Sequence, residues 1–105
     1  MKEILYNVTV IIDDSVQEEW KKWMIEIHIP DVLKTGLFTG YQMQRILTEG
    51  SEGGTTYAIQ YTMPNMNSYK DYEKNHAPKL QEDHTKKFNG KFGAFRTLME
   101  IESRG

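Results

Sequence analysis

Cysteine does not occur among the 105 residues of the chain. Its absence excludes disulfide bonds, thiolate metal sites and a cysteine nucleophile. Long apolar runs are also missing, and no stretch approaches the ~20 residues that would span a bilayer. The charge balance is slightly acidic, with 13 Lys and Arg against 15 Asp and Glu, and provides no long-range attraction to nucleic acid or anionic lipid. We therefore predict that the protein has neither a nucleic-acid nor a membrane partner.

The N-terminal residues lead directly into a strand pattern rather than into an apolar leader, so we predict a cytoplasmic location. The composition, 38% hydrophobic and 27% charged, is typical of a globular protein. The length suits a single domain spanning residues 1–105. A domain of this size buries only ~60–70% of the surface of its unfolded chain, so packing against a partner subunit would add to its stability.

Alternating apolar residues predict a first strand at 4–13. Ser15 and Glu18 have the spacing of a capping box, and apolar residues at helical spacing follow them. Because Pro30 disfavours helical backbone in the residue before it, we expect this helix to stop near His28, with a short further turn closed by Gly36. The remaining pattern predicts strands at 37–48, 55–63 and 91–101, a hairpin loop at 49–54, and a second helix at 67–88 that breaks at His76-Ala77-Pro78.

The element order βαββαβ, with a His-x-Pro step in each helix, is that of an α+β ferredoxin-like domain. Right-handed crossovers then give an antiparallel four-stranded sheet in the order 4-1-3-2, with both helices on one face. The two helices run antiparallel in this fold. We therefore expect His28 and His76 to lie toward opposite ends of the domain and not to form a shared site.

The sheet face that the helices leave open is predicted to carry almost no charge. The first strand offers Asn7 and Thr9 there, and the third offers Ala58 and Gln60. The second strand presents either its glutamines or the alternate set that includes Arg45. Either choice leaves a wide face poor in charge, which favours pairing of two copies into a homodimer, a dimeric α+β barrel with a cavity at the sheet face. The alternative is a monomer whose polar face meets water.

Several motifs resemble one uncharacterised family. They are Tyr6-Asn7-Val8-Thr9-Val10, His28-Ile29-Pro30, His76-Ala77-Pro78 and Ala94-Phe95-Arg96-Thr97, and together they resemble the family of domains of unknown function numbered 4286. The resemblance covers nearly the whole chain and implies one ferredoxin-like domain, but it carries no activity with it. At the level of fold, the chain also resembles the dimeric α+β barrel group, which includes small monooxygenases, isomerases and haem-dependent enzymes.

The histidines are the candidate catalytic residues, because an imidazole titrates near neutral pH and can act as a general acid or base. His28 lies in the last turn before the predicted helix break, where a structural capping role competes with catalysis. His76 and His84 share one flank of the second helix with Tyr72. They are either structural groups or polar groups that face a ligand.

Arg45 and Arg96 are the candidate anion contacts, because each falls in a predicted strand among mainly uncharged neighbours and needs a partner there. An ion pair with Glu49, Glu52 or Glu100 is the structural alternative to a substrate carboxylate. The remaining candidate ligand-binding residues are aromatic or amide side chains, namely Tyr57, Tyr61, Tyr72 and Gln60. Trp20 and Trp23 fall on the apolar stripe of the first helix and are predicted to belong to the core.

No motif indicates a metal or phosphate site. Three scattered histidines without cysteine do not have the spacing of a zinc site, and the glycines near position 50 do not open a helix, as a phosphate-binding loop would. The run Lys91-Phe92-Gly93-Ala94-Phe95 is similar to an RNA-binding strand motif, but it falls on the fourth strand rather than the third. We predict no metal and no cofactor.

The functional hypothesis is therefore a homodimer that binds a small organic molecule, with histidine-based acid–base chemistry. The alternative is a non-catalytic dimeric module for sensing or protein interaction.

Overall fold

The computed structural model describes residues 2–48 and 52–105. It contains four strands and two helical runs, of which the second has a break. In chain order they are β1 (Ile4–Asp13), a 3-10 turn (Asp14–Val16), α1 (Gln17–Trp23), a π-helical segment (Met24–His28), α2 (Ile29–Leu33), β2 (Gly40–Arg45), β3 (Gly54–Met63), α3 (Met66–Asn75), α4 (Ala77–Lys87) and β4 (Phe92–Glu100). Residues 49–51 of the hairpin loop predicted at 49–54 lie outside the described residues.

The four strands form one antiparallel sheet in the order β2-β3-β1-β4. This order is the predicted one, and it confirms the ferredoxin-like fold. β1 has the predicted bounds, whereas β2 is shorter than predicted because only residues 40–45 pair with β3. Among the described residues, no helix has the length and apolar character needed to cross a membrane.

The first helical run does not stop at His28, and this part of the prediction is wrong. Pro30 has no N–H to donate to the carbonyl group four residues earlier. The backbone instead widens into π-helical turns over Met24–His28, and the N–H of Ile29 bonds to the carbonyl oxygen of Met24, five residues earlier. The helix resumes as α2 with Pro30 in its first turn, where proline is tolerated. Pro30 therefore changes the helix type instead of ending the helix.

The start of this run also differs from the predicted capping box. Asp13 takes the capping role, because its carboxylate accepts a hydrogen bond of 2.8 Å from the backbone N–H of Ser15. The second helix does break where predicted: His76 leaves helical geometry between α3 and α4. Gly90 follows α4 with a φ of 77°, a left-handed conformation that glycine adopts without strain.

The register of the sheet fixes which side chains share a face. Tyr6 of β1 lies beside Tyr61 of β3, and Val8 lies beside Ile59 and Arg96. These residues point toward the helices, where the core is built around Trp20, which is fully buried.

The opposite face of the sheet is not covered by helices, and we call it the open face. At its centre Thr9 lies between Ala58 and Phe95. Register places the glutamines of β2 on this face and Arg45 on the other, which resolves the assignment that the sequence left open. Apart from Asp13, which ends β1 and caps the following turn, none of its side chains is charged: they are Leu5, Asn7, Thr9, Ile11, Gln42, Gln44, Thr56, Ala58, Gln60, Thr62, Phe95, Thr97 and Met99.

Candidate functional site

A partly enclosed cavity lies between the sheet and the helices. Its volume is about 50 Å³, enough for a few water-sized groups. Strand residues form its floor, and residues of the π-helical segment, α2, α3 and α4 form its walls. The polar or aromatic members of its lining are Tyr6, His28, Tyr61, Tyr72, Gln81, His84, Thr85, Phe92 and Arg96.

One side of the cavity is an aromatic wall built by tyrosines from three elements. The ring of Tyr6 lies 6.1 Å from that of Tyr61 and 5.7 Å from that of Tyr72. Phe38 packs behind this wall, with its centroid 5.1 Å from Tyr61 and 5.0 Å from Tyr72. Burial raises the pKa of each of the three tyrosines above its ordinary value, so their hydroxyl groups remain neutral at neutral pH.

The other side of the cavity holds a pair of histidines. The rings of His28 and His84 are 5.8 Å apart, edge to face. Trp23 packs against both, stacked at 5.0 Å on His28 and tilted at 5.7 Å against His84. The π-helical segment ends at His28, and such widened turns are frequent at functional sites.

Trp20 fixes the protonation pattern of His84. Its indole Nε1–H donates a hydrogen bond of 2.9 Å to Nε2 of His84. An indole N–H can only donate, so Nε2 of His84 must be unprotonated and the neutral ring carries its proton on Nδ1. Phe92 packs edge-on at 4.3 Å and further restricts the ring. His84 is therefore a neutral, oriented hydrogen-bond donor.

Burial dominates the electrostatics of both histidines. Desolvation lowers the pKa of His28 to about 4, and the carboxylates of Asp31 and Asp83 partly oppose the shift. Desolvation also lowers the pKa of His84 to about 4, with smaller contributions in the same direction from His28 and Arg96. Both imidazoles are therefore neutral at neutral pH, and each retains one N–H donor.

Arg96 extends from β4 at the edge of the cavity and is the only residue of its lining that is charged at neutral pH, since the described lining contains no carboxylate. Among the described residues, no Asp or Glu forms a salt bridge with Arg96 or Arg45. The ion pairs considered with Glu52 and Glu100 are thus not formed, and Glu49 lies outside the described residues. A guanidinium without a carboxylate partner beside a cavity is suited to binding an anion.

The family model for a domain of unknown function, DUF4286, matches residues 3–102. The chain belongs to this family. The family description specifies no activity. No curated protein has a significant sequence match to the chain.

Solved structures with low sequence identity share the fold. A cofactor-independent oxygenase, SnoaB from Streptomyces nogalater, superposes with a TM-score of 0.72 at 9% identity, covering 99% of this chain and 97% of that one. A dimeric ferredoxin-like protein from an uncultured marine organism gives 0.66 at 11% identity, covering all of both chains. A putative antibiotic biosynthesis monooxygenase from Bacillus cereus gives 0.65 at 9% identity, with coverage of 100% and 98%. At these identities the likeness establishes the fold alone.

The structure brings together five of the predicted site residues and separates the other four. His28, His84, Tyr61, Tyr72 and Arg96 line the one cavity. Four lie elsewhere. His76 stacks on Tyr72 at 6.4 Å outside the lining, Gln60 lies on the open face, and Arg45 of β2 and Tyr57 of β3 face each other at a separate surface groove.

The position of this cavity was not anticipated by the sequence analysis. It lies within one chain, on the helix-covered face of the sheet, because register turns Tyr61 and Arg96 toward the helices. The cavity expected at the open face between two paired copies stays a prediction. As expected, His28 makes no ring contact with His76. It meets His84 instead, which lies two helical turns further along the chain.

Sequence reasoning missed two polar residues of the site, Tyr6 and Gln81. Tyr6 alternates onto the same face as Val8, and Gln81 lies three residues before His84 on the same side of α4. Strand and helix periodicity could have identified both once His84 was chosen as an anchor. Among the described residues, no three His, Asp or Glu side chains are close enough together to bind a metal ion.

Proposed function

We propose that the protein binds a small organic anion in the cavity between the sheet and the helices, and that His28 serves as the acid–base group for that ligand. The observation that carries the proposal is the convergence of two neutral histidines and Arg96 on a single cavity. The Arg96 side chain is exposed to solvent and has no carboxylate partner among the described residues. Arg96 would hold the anionic group, the tyrosine wall would pack against the carbon skeleton, and no cofactor would take part. Cytoplasmic location remains a prediction.

The volume of the cavity limits the ligand. About 50 Å³ is far below the ~300–1,000 Å³ of pockets that hold drug-sized molecules. A ligand with a few non-hydrogen atoms, such as a short carboxylate, fits without rearrangement. This same observation favours the second candidate function, a non-catalytic dimeric module for sensing or protein interaction, in which the cavity is only a packing imperfection beside structural histidines.

In this proposal the functional unit is a homodimer of single ferredoxin-like domains paired through the open face. The composition of that face, uncharged except for Asp13 at the end of β1, supports the pairing. So does the exposure of Phe95, which lies on the edge strand β4 and is 58% accessible. Asn7 on the same face is buried, and its Oδ1 has no hydrogen-bond partner among the described residues. Such groups are rare in native proteins, and a donor from a second copy would satisfy it.

Ligand binding is tested by NMR titration with acetate, propionate and benzoate, each compared with its uncharged amide. We expect the carboxylates to shift the resonances of cavity residues and the amides to bind at least 10-fold more weakly. Arg96→Gln should weaken carboxylate binding by ~10–100-fold, since a hydrogen bond to a charged group contributes roughly 1.5–3 kcal/mol. Arg45→Gln is the matched control, because it removes the same group from β2, at the opposite edge of the sheet and outside the cavity.

Three outcomes would contradict the proposal. Amides could bind as well as carboxylates, the two arginine variants could behave alike, or no carboxylate could perturb the cavity at 100-fold molar excess (about 10 mM ligand over 0.1 mM protein). His28→Gln separates the two candidate functions. If His28→Gln still binds carboxylates but no longer exchanges a proton with the bound ligand, the acid–base role is supported. If the variant loses only stability, the non-catalytic module is supported.

A further inference from the structure

His28 lies between the cavity and a groove on the protein surface. On one side it lines the cavity, and on the other it lines a groove on the outer surface between the first helical run and α4. The groove is lined by Trp23, Ile27, Asp31, Asp83, Lys86 and Lys87 in addition to His28. Of the residues described here, only His28 belongs to both the cavity lining and the groove lining.

We propose that His28 is the proton port of the cavity, exchanging a proton between a bound ligand and the solvent in the outer groove, while His84 is held fixed as a neutral donor. This inference rests on the proposed function, because it assumes that the cavity holds an acid. It assigns different roles to two histidines that lie side by side, of which His84 is buried and His28 is partly exposed.

The hydrogen bond from Trp20 keeps His84 from taking up a proton. Nε2 of His84 already accepts the indole N–H, so both ring nitrogens of neutral His84 are committed, one as acceptor and one as donor. His84 can take up a proton only by giving up the bond to Trp20, a side chain with no exposed surface. No such hydrogen bond holds His28 in the described part of the chain, where Trp23 restrains its ring by stacking alone.

The proposed transfer moves one proton from the bound acid to the solvent. Neutral His28 accepts the proton of a bound acid at one ring nitrogen, leaving the conjugate base as an anion beside Arg96. The imidazolium then releases a proton from its other ring nitrogen to water in the groove and returns to the neutral form. No bond other than those to the proton changes, and no oxidant or reductant is required.

The charges around His28 set the direction of the transfer. Arg96 from β4 disfavours the imidazolium on the cavity side, whereas Asp31 from α2 and Asp83 from α4 favour it. Lys86 and Lys87 line the far part of the groove and oppose a lasting positive charge there. An anion bound at Arg96 would offset the arginine charge and raise the pKa of His28, so ligand binding and proton uptake are coupled.

The experiment is a long-range ¹H–¹⁵N NMR titration of the full chain labelled in its histidine rings, between pH 3 and 8, without ligand. At neutral pH, well above its pKa of about 4, we expect His84 to be the Nδ1–H tautomer with a ring proton protected from solvent exchange. We expect the ring proton of His28 to exchange at least 10-fold faster. Asp83→Asn should lower the pKa of His28 by about 0.5 unit, the effect of removing one partly solvated charge several ångströms away. Asp71→Asn, on α3 and outside the groove lining, should leave it unchanged.

Equal solvent exchange for the two histidines would overturn the inference, and so would the Nε2–H tautomer for His84. An unchanged pKa of His28 in Asp83→Asn would also overturn it. These readouts come from the ligand-free protein, so they are independent of the carboxylate titration described above. If the histidines behave as expected but no carboxylate binds, the proposed function fails while the difference between the two histidines stands.

Discussion

Phe95→Glu should convert the homodimer into a monomer, raising the dissociation constant of the dimer by at least ~100-fold. Phe95 lies beside Thr9 on the open face and is 58% exposed in a single protomer, so the change costs the isolated domain little. In a dimer paired through this face, two-fold symmetry places two carboxylates in an interface that holds no charge to pair with them. Burying an unpaired charge costs several kcal/mol for each group, and about 2.7 kcal/mol corresponds to 100-fold in affinity.

The measurement is size exclusion coupled to light scattering, or sedimentation equilibrium, at 1–100 micromolar protomer. A dimer with a dissociation constant of ~1 μM, or about 8 kcal/mol, is detected in this range. Ile25→Glu is the matched control, because Ile25 is similarly exposed, at 54%, but belongs to the helical layer. It should remain dimeric. A wild-type protein that is already monomeric at 100 micromolar, or a Phe95→Glu variant that still dimerises like wild type, would rule out pairing through the open face.

The order of the elements was predictable because local periodicity determined it. β1 alternates apolar residues over ten positions, and β3 repeats the pattern after a glycine-rich segment. Both strands lie in the middle of the sheet, where burial enforces alternation on the helix-covered side. β2 lies at the edge of the sheet and pairs on one side only. Its strand-like sequence pattern extends beyond the residues that are hydrogen-bonded to β3, so the predicted strand was too long at both ends.

The π-helical segment was not predictable, because the sequence signal at His28-Ile29-Pro30 is the same for a helix that ends and for one that widens. The outcome depends on whether tertiary packing continues beyond the proline, and here Ile29 and Val32 are buried in the core. Propensity rules treat proline as a local effect. Burial of Ile29 and Val32, on either side of Pro30, keeps the helix intact at the expense of its regular hydrogen bonds.

The meeting of His28 with His84 was also beyond sequence reasoning, although both residues were candidates. Spacing places a side chain on a flank of its own helix, but it does not define how far one helix is shifted along the other. The Trp20–His84 hydrogen bond joins residues 64 positions apart. Only the packed structure determines which pair of side chains meets across the cavity.

The stability of the fold should fall steeply as the pH decreases from 6.5 toward 4, because of the same pair of histidines. Burial lowers the pKa of His84 from 6.5 in an unfolded chain to about 4 in the fold. Between these values the unfolded chain binds a proton that the folded chain excludes, so acid favours unfolding. One pKa unit corresponds to about 1.4 kcal/mol. We therefore expect a loss on the order of 3 kcal/mol for His84, with a smaller contribution from the less buried His28.

Urea unfolding followed by tryptophan fluorescence at fixed protomer concentration, from pH 7.5 to 5, measures this slope above the range in which most carboxylates titrate. His84→Gln should flatten the slope of stability against pH. The amide oxygen of the glutamine can still accept the Trp20 hydrogen bond, so the variant removes the titrating group with little loss of packing. His76→Gln is the matched control and should retain the wild-type slope, because His76 lies outside the pair. If His84→Gln and the wild type lose stability equally over this range, His84 is not a neutral buried histidine. In that case the assignment of the proton port to His28 fails with it, because both rest on the indole of Trp20 keeping His84 uncharged.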